Sequence, residues 1–385
     1  MQQDRKYSQP SWLRRELLVS LVRKLLFRDK TRLAITLSGT SLALLLIFTL
    51  TGIYLGFYHQ ATAFIDNSGA DLWVVQKGAP NFFFAISFLP ANMSNSIAKV
   101  SGVKTVSSLI GVGATAAKDG KNQSIFFFGY DATSGLGGPL PLIRGSSITG
   151  ANQTVVDAAL AARLNVDVGD VVSVNGNRLS VVGVSGLGGL LAPIAYSNLN
   201  DVQKIVGYGT SVNYFLVKVS EGASADTVAS ALRAALNGVS VFTNSEWAGV
   251  SRDAVLSGTA PIIQAMEVMG GLTGVLVIGL TNYTTTVERQ REYGILKALG
   301  IKNRDLLQIA FWQSILIALS GFGIAGGLTI VVVRGLQYVV HFPIAILYDA
   351  GSVALIFASA ILMGTGAALL PARRISRIDP AIAFK

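Results

Sequence analysis

From Leu33 to Ile65 the chain carries no Asp, Glu, Lys or Arg, a run of 33 residues between Arg32 and Asp66. Wound as one helix it reaches about 50 Å, against a bilayer hydrocarbon core of about 30 Å. The run therefore predicts a membrane span over 33–57, with its far end, from Gly56 onward, projecting beyond the lipid. A cleaved signal peptide is the competing reading, weakened by the excess length and the lack of a clear A-x-A site. Three further apolar runs, 261–287, 306–333 and 350–372, are also long enough to cross. Glu267 is the one charge between Ile262 and Thr286, and a wetted position near the span's end fits it better than an intramembrane functional acid.

Charge placement gives the orientation. Nine Lys/Arg fall in residues 1–32, five in 288–305 and four in 373–385, so 18 of the 31 lie in three short segments. The segment 66–260 balances 12 basic against 12 acidic residues. Cations beside apolar spans mark the cytoplasmic side. Both termini and 288–305 are thus expected in the cytoplasm, and 58–260 outside, in a multi-pass protein of the cytoplasmic (inner) membrane. The net charge of +10 marks topology, and no nucleic-acid partner is expected.

Several chemistries are excluded. With no cysteine there is no disulfide, thiolate metal site, cysteine nucleophile or N-terminal lipoprotein anchor. His59 and His341 are far apart and flanked by apolar residues, a poor basis for a metal site or triad. Gly120-Lys121-Asn122 lacks the first glycine and the hydroxyl of a phosphate-binding loop. No catalytic, metal or cofactor site is expected in this chain.

Within 1–32, residues 11–30 place Leu13, Leu17, Leu18, Leu21, Leu25 and Leu26 on one stripe, with Arg14, Arg15, Arg23, Lys24 and Arg28 beside it. This predicts a helix lying in the cytoplasmic interface; a helix packed on a partner is the alternative. The segment 58–260 is too long and too patterned to be a loop. Thr154–Asp157 reads as a strand, Ala158–Leu164 as a helical turn, and Asn175-Gly176 as a hairpin between Val171–Val174 and Leu179–Val184. Tyr214–Val219, Ala223–Leu236 and Val239–Phe242 read as a βαβ-like unit. The Phe-rich stretch 76–98 (Phe82, Phe83, Phe84, Ile86, Phe88, Leu89) is either core or an apolar surface for lipid or partner. Gly52/Gly56, Gly270/Gly274 and Gly323/Gly327 have the spacing of close helix contacts.

The segment between the second and third spans reads Glu288-Arg289-Gln290-Arg291-Glu292-Tyr293-Gly294-Ile295-Leu296-Lys297-Ala298-Leu299-Gly300. Ile295, Leu296 and Leu299 recur at helical spacing, and Glu288/Arg291 and Arg289/Glu292 are oppositely charged pairs three residues apart. The stretch predicts a short amphipathic helix ending at Gly300. A loop that merely obeys the charge rule is the other reading of composition.

This run resembles the signature loop of the MacB/FtsX/LolC (DevC-like) superfamily of ABC transporter permeases, E-R-x-R-E-I-G-x-L-[KR]-A-[LI]-G. Tyr293 is the visible departure, where an aliphatic residue is commoner. The passage V-V-D-A-A-L-A-A-R-L-N-V-D-V-G-D-V-V-S-V is similar to that family's entry into a small β-barrel subdomain. The likeness covers most of 30–385 and is weakest over 76–98. It implies an α-helical four-span transmembrane domain with a large mixed α+β extracytoplasmic domain inserted between spans 1 and 2. The order implied is a MacB-like core over 58–260, an FtsX-like domain over 261–385, a short outer loop at 334–349 and a tail at 373–385. It also implies a coupling helix made by Glu288, Arg289, Arg291, Glu292, Tyr293, Gly294, Leu296, Lys297, Ala298, Leu299 and Gly300.

The partners implied are a separate ABC ATPase subunit that binds the ATP, a second permease copy or a paralogue, and a membrane-fusion protein. The function implied is a non-catalytic exporter subunit that passes ATP-driven movement to the outer domain, exporting or extracting a lipid, peptide or drug-like substrate. An FtsX-like regulator of a cell-wall hydrolase and an ATPase-independent adhesion or sensor protein are the alternatives.

Overall fold

The computed structural model describes residues 29–83, 87–186, 189, 192–298, 301–338 and 346–376. The expected interfacial helix lies outside them except for Asp29 and Lys30, as do Phe84, Ile86, His341, Leu299 and Gly300. The chain falls into two compact units, divided at Gly52/Ile53, Pro261/Ile262, Val333/Arg334 and Leu347/Tyr348.

Helix α1 (Lys30–Asp66) is unbroken over 37 residues. Asp29 Oδ1 accepts from Arg32 N at 3.1 Å, meeting one of the amides that a helix start leaves unpaired.

The inserted domain follows. Its elements are β1 (Leu72–Gln76), β2 (Leu89–Pro90), α2 (Met93–Ala98), β3 (Val103–Lys118), β4 (Lys121–Tyr130), β5 (Leu142–Gly145), β6 (Gln153–Asp157) and α3 (Ala158–Leu164). Then come β7 (Val171–Val174), β8 (Asn177–Ser185), β9 (Ile194–Asn198), α4 (Leu199–Val206), β10 (Ser211–Val212), β11 (Tyr214–Val219), α5 (Ala225–Ala235) and β12 (Val239–Thr243).

Strand β3 is shared by two arrangements. On one side the order β12-β1-β11-β3 forms an open sheet; on the other, β3-β4-β9-β6-β8-β7 pairs back to β3 and closes a small barrel. Closure leaves those strands no free edge. The expected βαβ unit is present but split, because β1 lies antiparallel between β11 and β12. Asn175 and Gly176 both have positive φ, 46° and 85°, the backbone that a two-residue hairpin of matching twist requires. Asp119-Gly120 makes the same turn between β3 and β4.

Both faces of the open sheet are covered. Leu72 and Val74 of β1 enter one core with Phe127 and Phe215, while Trp73 and Val75 enter an aromatic one with Phe128, Tyr196 and Tyr214. That second core also takes Phe64 and Ile65 from the end of α1, and Phe82 packs against it. Of the Phe-rich stretch, Phe82 and Leu89 thus pack inside the domain, whereas Phe88 is exposed.

Helix α6 (Asn244–Glu288) runs 45 residues from the domain through the second span. Trp247, fully buried, sits in the aromatic core, and Asn244 Nδ2 donates to Ile65 O at 3.1 Å and Ala70 O at 2.7 Å. The end of α1 and the start of α6 are therefore fixed to one another and to the sheet. Helices α7 (Gln290–Ala298), α8 (Asn303–Tyr338), α9 (Ala350–Ala367) and α10 (Leu369–Ser376) complete the described chain. The fourth span's helix passes from α9 into α10 through Ala368, whose backbone stays helical: Ala368 N donates to Gly364 O and Ala372 N to Ala368 O, each at 3.2 Å.

Among the described residues four helices are long and apolar enough to cross a membrane. In their unit, Leu44, Ile47 and Phe48 of α1 pack with Ala325 of α8 and Ile356, Ala360 and Met363 of α9. Two polar contacts tie helices together inside it: Asn282 Nδ2 donates to Ser314 Oγ at 2.8 Å, and Thr51 Oγ1 to Glu267 Oε1 at 2.8 Å. The glycines that permit close approach are not all the expected ones. A Cβ at Gly364 would lie 3.0 Å from Ile315 Cδ1 and 3.1 Å from Ser314 O, whereas one at Gly323 or Gly327 meets nothing within 4 Å.

Candidate functional site

Only Arg289 separates α7 from α6, and the helical hydrogen bonds continue across it. Arg289 N donates to Thr285 O at 3.1 Å and Tyr293 N to Arg289 O at 3.0 Å. The segment thus prolongs the second span's helix, which differs from the free-standing helix that the sequence suggests. Ile301 N donates to Leu296 O at 3.0 Å, a five-residue reach of the kind that closes a helix C-terminus.

One face of α7 is taken up within the chain. Tyr293 is buried among Leu306, Ile309 and Ala310 of α8 and Ile375 of α10, and Leu296 packs partly against them. Burial pushes the Tyr293 phenol above its ordinary pKa. Gly294 is buried, and Lys297 Nζ donates to Ile375 O at 2.8 Å. Arg289 is half-buried, with its Nη1 enclosed and, among the described residues, without a hydrogen-bond partner.

The other face is open. Arg291, Glu292, Ile295 and Ala298 are exposed, Ile295 to 44%. Ile295 and Leu296 do not share one apolar stripe, contrary to what their spacing suggests: Ile295 is exposed, and Leu296 packs inward. Neighbouring helical residues point about 100° apart, and Tyr293 with Leu296, three apart, already define the inner side. Glu288 also departs from expectation: its partner is Arg32 of α1, not Arg291. Arg32 Nη1 lies 2.6 Å from Glu288 Oε2, and Nη2 lies 2.7 Å from Oε1. The hydrogen bonds from Arg32 hold the Glu288 carboxyl below its usual range, against an opposing desolvation, and the Arg32 charge adds to the lowering. Arg32 and Ile295 are the residues that motif reasoning leaves out. The signal for Arg32 was its position at the edge of the charge-free run.

Residues 33–235 match the MacB-like periplasmic core domain, and residues 266–380 match the FtsX-like permease C-terminal domain. The chain belongs to the MacB/FtsX family of ABC transporter permeases. The permease is 26% identical over 365 residues to an uncharacterized ABC transporter permease of Mycobacterium tuberculosis (strain ATCC 25618 / H37Rv), covering 92% of this chain and 96% of that one. It is 33% identical over 124 residues to the macrolide export ATP-binding/permease protein MacB of Bartonella quintana, covering 32% of this chain and 18% of that one. Among solved structures it is similar to the periplasmic region of MacB from Actinobacillus actinomycetemcomitans. That likeness has 18% identity, a TM-score of 0.38, and covers 47% of this chain and 92% of that one. Family membership makes this permease a membrane component of an ABC transporter and implies an ATPase partner. Among the described residues no group of His, Cys, Asp or Glu has metal-binding geometry.

Proposed function

We propose that this permease is the non-catalytic membrane subunit of an exporter whose separate ATPase docks on the exposed face of α7. Arg291 and Glu292 set the register and Ile295 with Ala298 supplies the apolar contact. The remaining residues of the segment brace it: Glu288 on Arg32, Tyr293 and Leu296 in the small core with α8 and α10, and Lys297 on the Ile375 carbonyl. The observation that carries the reading is this pairing of a buried inner face with an open outer one. Pressure on the open face is then passed to the spans, because the inner face does not slip.

In this reading α7 and both termini are cytoplasmic, and the inserted domain lies outside the inner membrane. Two permease copies, or one with a paralogue, pair with two ATPase copies, and a membrane-fusion protein continues the path outward. ATP is bound by the partner alone. Helix α6 is the lever: it joins the α7 segment, through Arg289, to the aromatic core around Trp247. A lipid, peptide or drug-like substrate is handled by the inserted domain.

The test is co-purification with the ATPase. Ile295→Asp places a carboxylate in the apolar contact, so ATPase binding and permease-stimulated ATP hydrolysis fall together while the permease keeps its thermal unfolding midpoint. An Ile295→Asp protein that binds and stimulates the ATPase as the unaltered protein does rules out this face as the dock.

A further inference from the structure

A cavity of about 480 Å³ lies within the inserted domain, walled by Phe64, Phe82, Phe126, Phe128, Ile194 and Tyr214. The sheet leaves room for it. Gly113 of β3 sits opposite Phe126 of β4, and Gly111 opposite Phe128, so all four share one face of the sheet. Phe126 in turn pairs with Ile194 of β9. A Cβ at Gly111 would come within 2.5 Å of the Phe128 ring, whereas one at Gly113 meets nothing within 4 Å. The first glycine seats the ring, and the second leaves the floor bare. Gly113 is exposed, so the cavity opens there. Phe64 stacks on Phe128 at 4.5 Å between ring centroids, and Phe82 on Phe128 at 5.9 Å, which gives the wall a fixed shape.

Among the described residues the lining holds no Asp, Glu, Lys, Arg or His. Its amide side chains are already engaged by backbone. Gln60 Nε2 donates to Gly189 O at 2.7 Å, and Asn213 Oδ1 accepts from Gly111 N at 2.9 Å while its Nδ2 donates to Ser87 O at 2.6 Å. Tyr214 OH reaches Phe82 O at 3.4 Å. A charged group placed inside would lose its hydration and find no opposite charge among these residues. An apolar ligand meets what a binding cavity of this size normally offers. Gln60, Ala61 and Phe64 lie on α1, the same unbroken helix as the first apolar span, so one wall is the extension of a membrane helix.

We propose that this cavity binds a single fatty acyl chain drawn from the membrane. The site names a ligand for the transport reading above and rests on it only for that role. Binding is measured without the ATPase, so the two readings fail separately.

The test uses the full chain in lipid nanodiscs with two photoactivatable probes: free palmitate carrying a diazirine, and a phosphatidylcholine carrying the same acyl group. Cross-links are mapped by peptide mass spectrometry. Labelling of the peptides bearing Phe64, Phe126 and Phe128 is expected, with unlabelled palmitate competing. The probe that labels tells whether the chain arrives free or attached to a headgroup. Gly113→Phe, which fills the open floor, should cut this labelling by about tenfold, equivalent to about 1.4 kcal/mol. Val206→Phe, entering from α4 on another wall, serves if the first variant lowers yield. Labelling confined to the spans overturns the proposal. So does cavity labelling that persists in a folded Gly113→Phe protein, or that a neutral polycyclic aromatic displaces and palmitate does not.

Discussion

Arg32 and Glu288 form a two-pronged ion pair, 2.6 Å and 2.7 Å between the guanidinium nitrogens and the carboxylate oxygens, and Arg32 Nη1 also reaches Thr285 Oγ1 at 3.2 Å. The pair joins the first turn of α1 to the last residue of α6, at the point where α7 begins. Its geometry matters more than its stability, because both side chains are partly open to solvent. A planar fork fits a carboxylate in a way that a lysine ammonium does not.

Arg32→Lys should therefore keep the charge but reduce ATPase stimulation, and Arg32→Ala should reduce it further, with ATPase binding retained. The pH dependence has a definite sign. Because the folded protein holds Glu288 below its unfolded pKa, the pair contributes above that unfolded value and its contribution is lost as pH falls through the depressed one. Thermal unfolding measured from neutral pH downward should show an acid-side loss for the native protein that is smaller in Glu288→Gln. Equal slopes in the two proteins would remove the pair from the account.

Trp247 anchors α6 in the inserted domain. It is fully buried, stacks on Phe242 at 5.0 Å and lies 6.5 Å from Trp73. Trp247→Ala should destabilise the domain by about 3–5 kcal/mol. Its unfolding midpoint should drop and proteolysis within 58–260 should accelerate, while Trp247→Phe keeps most of the packing. The check is thermal unfolding paired with ATPase stimulation: a lever loosened at this end should uncouple the ATPase that still binds at the other.

Two glycines in the spans should respond in opposite ways. At Gly364 the nearest atoms are Ile315 Cδ1, Ser314 O and Ala318 Cβ, all within 3.2 Å of a built Cβ. Gly364→Val overpacks that contact between α8 and α9 at a cost of about 1–3 kcal/mol. Gly327→Ala meets open space within the chain and should leave monomer stability unchanged or raised. Melting curves of the detergent-solubilised protein distinguish them.

The sequence carried local signals well and long-range ones poorly. The Asn175-Gly176 hairpin, the strand over Tyr214–Val219 and the helix over Ala158–Leu164 were legible because each is set by its own turn residues or periodicity. Asp119-Gly120 bears the same local hairpin signal, with both residues at positive φ. The insertion of β1 between β11 and β12, and the return of β7 to β3, join strands far apart in sequence, and nothing local encodes them. At the candidate site the helix itself was legible. Which of Ile295 and Leu296 faces inward was not, because that depends on where Leu306 and Ile375 arrive from distant spans.

The most direct measurement is site-specific cross-linking from α7. No native cysteine interferes, so Ile295→Cys, Tyr293→Cys and Lys121→Cys proteins can each carry one benzophenone maleimide. In the assembled transporter, position 295 should cross-link to the ATPase, while the buried position 293 labels poorly and position 121 cross-links to nothing on the ATPase. An intact complex in which 295 gives no ATPase adduct, or in which 121 does, contradicts the account.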